Sequence, residues 1–144
     1  ERLNAKSALR VAEAEEGMAL EPGLALIAPG DFHLKLRRAG GRVEATLDRG
    51  APENSCRPAA DVMFRSVLDV YGGDAVCVVL TGMGKDGLEG ARLLREAGAA
   101  VVAQDEATSV VWGMPGHVVQ AGLAESVVPL DRVPATVLRW LGRS

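Results

Sequence analysis

From residue 59 onward the chain alternates between two hydrophobic periods. Val62, Met63, Ser66, Val67 and Val70 recur at helical spacing, and Gly72-Gly73 supplies the stop. Residues 75–80 are an unbroken apolar run rich in β-branched side chains, the pattern of a strand covered on both faces. The helical period returns over residues 86–97, with Leu88, Ala91, Leu93 and Leu94 on the inner side and Gly98 closing the helix. Residues 99–103 form a second buried strand, residues 115–121 a short helix ended by Gly122, and Val127-Val128 a last short strand. Asp131 is placed to cap a terminal helix that runs to Leu141. Alternation of this kind predicts a parallel sheet with right-handed crossovers.

The first 58 residues follow a different rule. Residues 7–14 and 24–28 read as short strands, with turn chemistry at Pro22-Gly23 and Pro29-Gly30-Asp31. Residues 33–37 and 42–47 alternate apolar and polar side chains around Ala39-Gly40-Gly41, which describes a β-hairpin with one face in solvent. Residues 48–58 hold Gly, Asn and two Pro and read as loop. The fold class expected is therefore α/β, a doubly wound, Rossmann-like, mostly parallel sheet that carries one hairpin.

Composition narrows the function. A length of 144 residues gives room for one domain. Apolar residues make up 48% of it but only five are aromatic, so the core must be built from Val, Leu and Ala. The net charge of −3, with arginines scattered among acids, excludes nucleic acid as a primary partner, which would require a basic stripe. Cys56 and Cys77 have no CxxC spacing, and with two histidines they make no zinc set, so neither metal nor cofactor is expected. Cys77 reads as a core residue and Cys56 as a free thiol. The apolar runs are too short for membrane insertion, and free thiols without a signal peptide fit the cytoplasm. The chain opens on Glu1-Arg2-Leu3-Asn4, without an initiator methionine and at the end of a helix, which reads as part of a longer protein.

In open parallel sheets, ligands bind at the loops leaving the carboxyl ends of the strands. Two such loops qualify. In Thr81-Gly82-Met83-Gly84-Lys85-Asp86-Gly87, Asp86 stands where the next helix begins, as its N-cap, as an acid of an active site, or as both; the glycines also permit an anion-binding turn. In residues 104–115, a polar stretch precedes Trp112, giving either a cleft wall or a surface connection with Trp112 as anchor. His33 and His117 are each either a general base or a structural histidine. No serine sits in a Gly-x-Ser-x-Gly setting, and the first loop lacks the Lys-Ser/Thr pair or GxGxxG of a nucleotide site.

Five segments, in order, carry a resemblance. They are Leu26-Ile27-Ala28-Pro29-Gly30-Asp31-Phe32-His33-Leu34, residues 57–67 from Arg57-Pro58 to Ser66-Val67, Val79-Leu80-Thr81-Gly82-Met83-Gly84-Lys85-Asp86-Gly87, residues 103–115 ending Trp112-Gly113-Met114-Pro115, and Val127-Val128-Pro129-Leu130. Together, over about residues 1 to 140, they resemble the catalytic domain of bacterial chemotaxis protein-glutamate methylesterases (CheB-type). The resemblance implies a Ser-His-Asp triad that hydrolyses glutamyl methyl esters, and deamidates glutamines, on the cytoplasmic helices of chemoreceptors. It makes Asp86 the triad aspartate and Met83 a residue of the active-site rim. It also implies that the serine and histidine motifs, and the family's first strands, lie upstream of Arg2-Leu3-Asn4. The chain by itself is then expected to be inactive, and to have its open sheet edges covered by a companion N-terminal fragment or by self-association. A receiver domain further upstream is a feature of many members. Ala59-Ala60 replaces a frequent Ser-Val, and Gly116-His117 a frequent Arg-Glu. The alternative is a noncatalytic regulatory or binding module that keeps the fold.

Overall fold

The computed structural model describes residues 1–142. A short helix α1 (Arg2–Lys6) leads into strand β1 (Arg10–Glu13), which pairs in parallel with β2 (Leu24–Ile27). The predicted hairpin forms from β3 (His33–Ala39) and β4 (Arg42–Asp48), antiparallel in the register Leu36↔Ala45. Its inner residues Leu34 and Ala45 join Ala14 in a small core, onto which Met18, Leu26, Leu47 and Met63 pack. Helix α2 (Ala60–Tyr71) lies between this hairpin and the second half of the chain; Ser66 ties it to β3 by accepting the Leu36 N–H at 2.9 Å.

The second half is the parallel sheet that the alternating periods predict. Strands β5 (Val76–Val79), β6 (Ala100–Gln104) and β7 (Ser126–Val128) pair in that order, with α3 (Leu88–Glu96), α4 (Met114–Gln120) and α5 (Val133–Leu141) as the connecting and covering helices. Its core consists of Val, Leu and Ala with Cys77, as the scarcity of aromatics requires. All five residues of β6 are buried. In β5, Cys77 and Val79 are buried but Val76 and Val78 only half so. The expectation of a strand covered on both faces thus holds for β6 and not for β5, because β6 is central and β5 lies at the edge of the sheet among the described residues.

Two helix starts differ from expectation. Asp131 does not cap the terminal helix: it lies inside a 3-10 turn (Leu130–Arg132), and α5 begins on Arg132 with no side-chain cap. The helix expected from residue 86 begins at Leu88, on Gly87, whose φ of +91° is left-handed and favours glycine. No helix among the described residues is long and apolar enough to cross a membrane.

Candidate active site

The two loops singled out in the sequence form one surface. Gly82 and Trp112 make a parallel β-bridge: the Gly82 N–H donates to Val111 at 3.0 Å, and the Met114 N–H donates to Gly82 at 2.8 Å. Gly113 makes the approach possible, since a Cβ there would stand 2.8 Å from the Gly82 carbonyl and 2.9 Å from the Gly84 nitrogen. Gln104, fully buried at the end of β6, holds both loops. Its Oε1 accepts the Thr81 N–H at 2.8 Å, its Nε2 donates to Thr108 O at 2.9 Å, and its carbonyl accepts the Trp112 indole N–H at 2.9 Å. Trp112 is thus the anchor of its loop.

Asp86, 7% exposed, is the buried acid of this surface. It is not the cap of the helix that follows it; α3 has no side-chain cap on its N-cap residue. Its carboxylate turns instead to the start of α2, whose N-cap position is Ala59 and offers no acceptor. Oδ2 accepts the Ala60 N–H at 2.6 Å; Oδ1 accepts the Asp61 and Gly87 N–H groups at 3.1 and 3.0 Å, and the Asn54 amide at 3.1 Å. Asp61 returns the arrangement. Its Oδ1 accepts the Gly90 N–H, in the first turn of α3, at 2.7 Å, and its Oδ2 accepts the Asn54 amide at 2.8 Å. Each helix is therefore capped by an aspartate belonging to the start of the other, and Asn54 bridges the two carboxylates. No arginine or lysine among the described residues pairs with either aspartate. Both carboxylates are held by backbone N–H groups at the helix starts and by the Asn54 amide, and the Arg65 charge also acts on Asp61.

A cavity of about 230 Å³ opens beside Asp86, lined also by Ala28, Leu34, Pro58, Ala59, Ala60 and Met63. Oδ1 accepts three hydrogen bonds and Oδ2 one, so Oδ2 keeps acceptor capacity for a further donor. Met83, 81% exposed, stands on the outer side of the same loop. The histidines lie elsewhere. His33 is buried: its Nδ1 accepts the Ala59 N–H at 3.2 Å and its Nε2 donates to the Ala51 carbonyl at 2.9 Å, which fixes a neutral tautomer and makes it structural. His117 is exposed on α4, with Nδ1 2.7 Å from the Gly113 carbonyl. Neither is a partner of Asp86 among the described residues. Burial pushes the Cys77 thiol up to about 12, which suits a core residue and not a nucleophile. No group of three His, Cys, Asp or Glu among the described residues is arranged to hold a metal ion.

Sequence reasoning missed Asn54 and Asp61. The available signal was the alanine at the N-cap of α2, a start that leaves backbone donors needing an acceptor from another part of the chain.

Residues 1–137 match the family model described as CheB methylesterase. Proteins named protein-glutamate methylesterase/protein-glutamine glutaminase are 50% identical in Nocardioides sp., over 99% of this chain and 39% of that protein, and 51% identical in Maricaulis maris, over 99% of this chain and 36% of that protein. The chain thus spans well under half the length of these curated relatives. The crystal structure of the Thermotoga maritima CheB methylesterase catalytic domain superposes with a TM-score of 0.92 at 41% identity, covering 96% of this chain and 73% of that one. With a family model matching residues 1–137 and a parallel sheet that superposes on a solved catalytic domain, the chain belongs to the CheB methylesterase family.

Proposed function

We propose that the protein containing this chain is a cytoplasmic protein-glutamate methylesterase and protein-glutamine glutaminase acting on the cytoplasmic helices of chemoreceptors, and that Asp86 is the orienting acid of its Ser-His-Asp triad. The observation that carries the proposal is the unequal use of the Asp86 carboxylate. Three N–H groups hold Oδ1 and one holds Oδ2, so on this cavity-lining residue Oδ2 keeps acceptor capacity for the N–H of an imidazole. In such a triad the serine hydroxyl attacks the ester carbonyl and the histidine takes its proton. The same histidine then protonates the departing methoxide, and methanol leaves. Water hydrolyses the acyl-serine to free the glutamate carboxylate; from a glutamine side chain the leaving group is ammonia. The aspartate fixes the histidine tautomer and stabilises the imidazolium without making or breaking a bond to substrate. Met83, exposed at the rim, supplies apolar contact to the substrate helix.

The serine and histidine are to be contributed from outside the described residues, as are strands that cover Leu9, Ile27 and Leu80, each more than 40% exposed. A companion segment is the occupant expected there, self-association the substitute, and a receiver domain an additional partner. Methanol release from methylated receptor membranes tests the reading. The complete protein is expected to turn over, Asp86→Asn to lower kcat by about 10⁴-fold, and the 144-residue chain alone to give no activity. Undiminished turnover by the Asp86→Asn protein would sink the role of Asp86; receptor binding without methanol release would favour the noncatalytic module.

A further inference from the structure

Asn54 occupies a costly position for an exposed loop residue. Glu53-Asn54-Ser55-Cys56 closes as a two-residue turn, Glu53 N–H to Cys56 O at 3.0 Å and Cys56 N–H to Glu53 O at 2.9 Å. Both central residues are left-handed without being glycine, with φ of +53° at Asn54 and +62° at Ser55. Such a conformation persists only where the surroundings over-determine it. Here they do: the Glu53 carboxylate is gripped by both terminal nitrogens of the Arg65 guanidinium on α2, which anchors the turn to the helix. The turn delivers one group to the active site, the Asn54 amide. Its nitrogen donates to Asp61 Oδ2 at 2.8 Å and to Asp86 Oδ1 at 3.1 Å, spending both hydrogens on two carboxylates.

We infer that Asn54 is a positioning residue for catalysis, acting through Asp86; the inference rests on the reading of Asp86 as the orienting acid. Rotating the Asp86 carboxylate breaks the Asn54, Asp61 and Gly87 bonds to Oδ1 together, so the clamp fixes the plane in which Oδ2 presents itself to the imidazole. Asp61 is the strut: its own carboxylate is tied to the Gly90 N–H and to the second hydrogen of the same amide. A carboxylate free to turn would hold the histidine in the productive tautomer and direction only part of the time, which lowers kcat and leaves substrate binding intact.

The test uses the complete protein and methanol release from methylated receptor membranes. Asn54→Gly is the main variant, because glycine accepts the left-handed turn and an exposed side chain leaves no core cavity. Asn54→Ser is run beside it, and both are placed on wild-type and Asp86→Asn backgrounds. Expected is a kcat lower by about 10- to 100-fold with unchanged KM and a retained cooperative melt. On the Asp86→Asn background, removing the amide is expected to cost nothing further, since the group it positions is no longer a carboxylate. An unchanged kcat in Asn54→Gly, with Asp86→Asn still crippled, overturns the inference alone. The same is true of an equal loss on both backgrounds, or of failure of both Asn54 variants to fold, each of which marks a purely structural residue. Full activity in Asp86→Asn overturns the reading beneath it.

Discussion

Replacing Asp86 by alanine removes one acceptor group from four N–H donors at once, and its cost follows from where those donors sit. Two of them, on Ala60 and Asp61, are the first backbone donors of α2, and the N-cap residue Ala59 offers them nothing. Loss of an N-cap acceptor costs about 0.5–2 kcal/mol. The Asp61 and Gly87 residues are buried, and a buried donor without an acceptor costs about 1–3 kcal/mol. These contributions overlap at Asp61. The neighbouring cavity admits water to part of the site, and loss of the charge relieves repulsion with the Asp61 carboxylate, so the net expectation is about 3 kcal/mol. Asp86→Asn keeps an oxygen for the Oδ1 donors but sets an amide against the Ala60 N–H, and is expected to cost about half as much. Asn54→Gly is expected to cost about 1 kcal/mol or less. Urea unfolding of the purified chain followed by circular dichroism reads these differences; at a slope of about 2 kcal/mol per molar, alanine at 86 shifts the midpoint by about 1.5 M. A shift below about 0.25 M, or a larger loss from Asn54→Gly than from Asp86→Ala, refutes the account of Asp86 as the cap of α2.

Three other outcomes are expected. Cys77 has a thiol pKa raised from 9.0 to about 12 by burial, so the folded state favours the protonated form. Its contribution is then fully present below pH 9 and lost as pH rises from 9 towards 12, at about 1.4 kcal/mol per unit. Cys77→Ala should flatten that alkaline slope in denaturant titrations, and an identical slope in both proteins refutes the assignment. Gly113→Ala places a methyl against the Gly82 carbonyl and the Gly84 nitrogen, forcing the two loops apart; a loss of about 2 kcal/mol or more is expected by thermal or urea melts, and a neutral result means that the loops do not touch there. Asp31 is held below its ordinary 3.8 by the Arg57 hydrogen bond first and by Arg49 second. Its ion pairs therefore stabilise above that value and fade as pH falls through the lower folded one. Carboxyl titration by NMR should place its midpoint below 3.8 and move it upward in Arg57→Ala; no movement would show the pairing to be absent in solution.

Much of this architecture is written in short-range pattern, and the parts that are not share one physical cause. Residues 99–103 announce β6 because a central strand must be apolar on both faces, and the His33–Ala39 and Arg42–Asp48 hairpin is announced by alternation around Gly40-Gly41. The same rule overreads β5, whose apolar run describes a covered strand while Val76 and Val78 stay half-buried at the sheet edge. Asp86 was legible as a candidate residue but not as to what it binds. An aspartate just before a helix satisfies the N-cap pattern, and local spacing carries no information about an acceptor shared with a helix start 26 residues earlier. Asp131 fails for a more local reason: a 3-10 turn takes it up, and the N-cap of the terminal helix falls one residue later, on Arg132.

Reciprocal capping explains why the pattern misleads at this site in particular. If Asp86 capped its own helix, its carboxylate would point along α3 and be spent there. Borrowing it for α2, and lending Asp61 to α3 in return, turns the Asp86 carboxylate across the gap between the helices, where Oδ1 accepts three hydrogen bonds, Oδ2 accepts one, and the residue lines a cavity. On the proposed reading of Asp86 as an orienting acid, this departure from local preference is what makes the acid available, in keeping with the expectation that local rules fail where function is placed. Asn54 follows from the same arrangement. Two carboxylates brought to adjoining helix starts repel each other, and a single amide nitrogen with two hydrogens is a side-chain group that can satisfy both without adding charge.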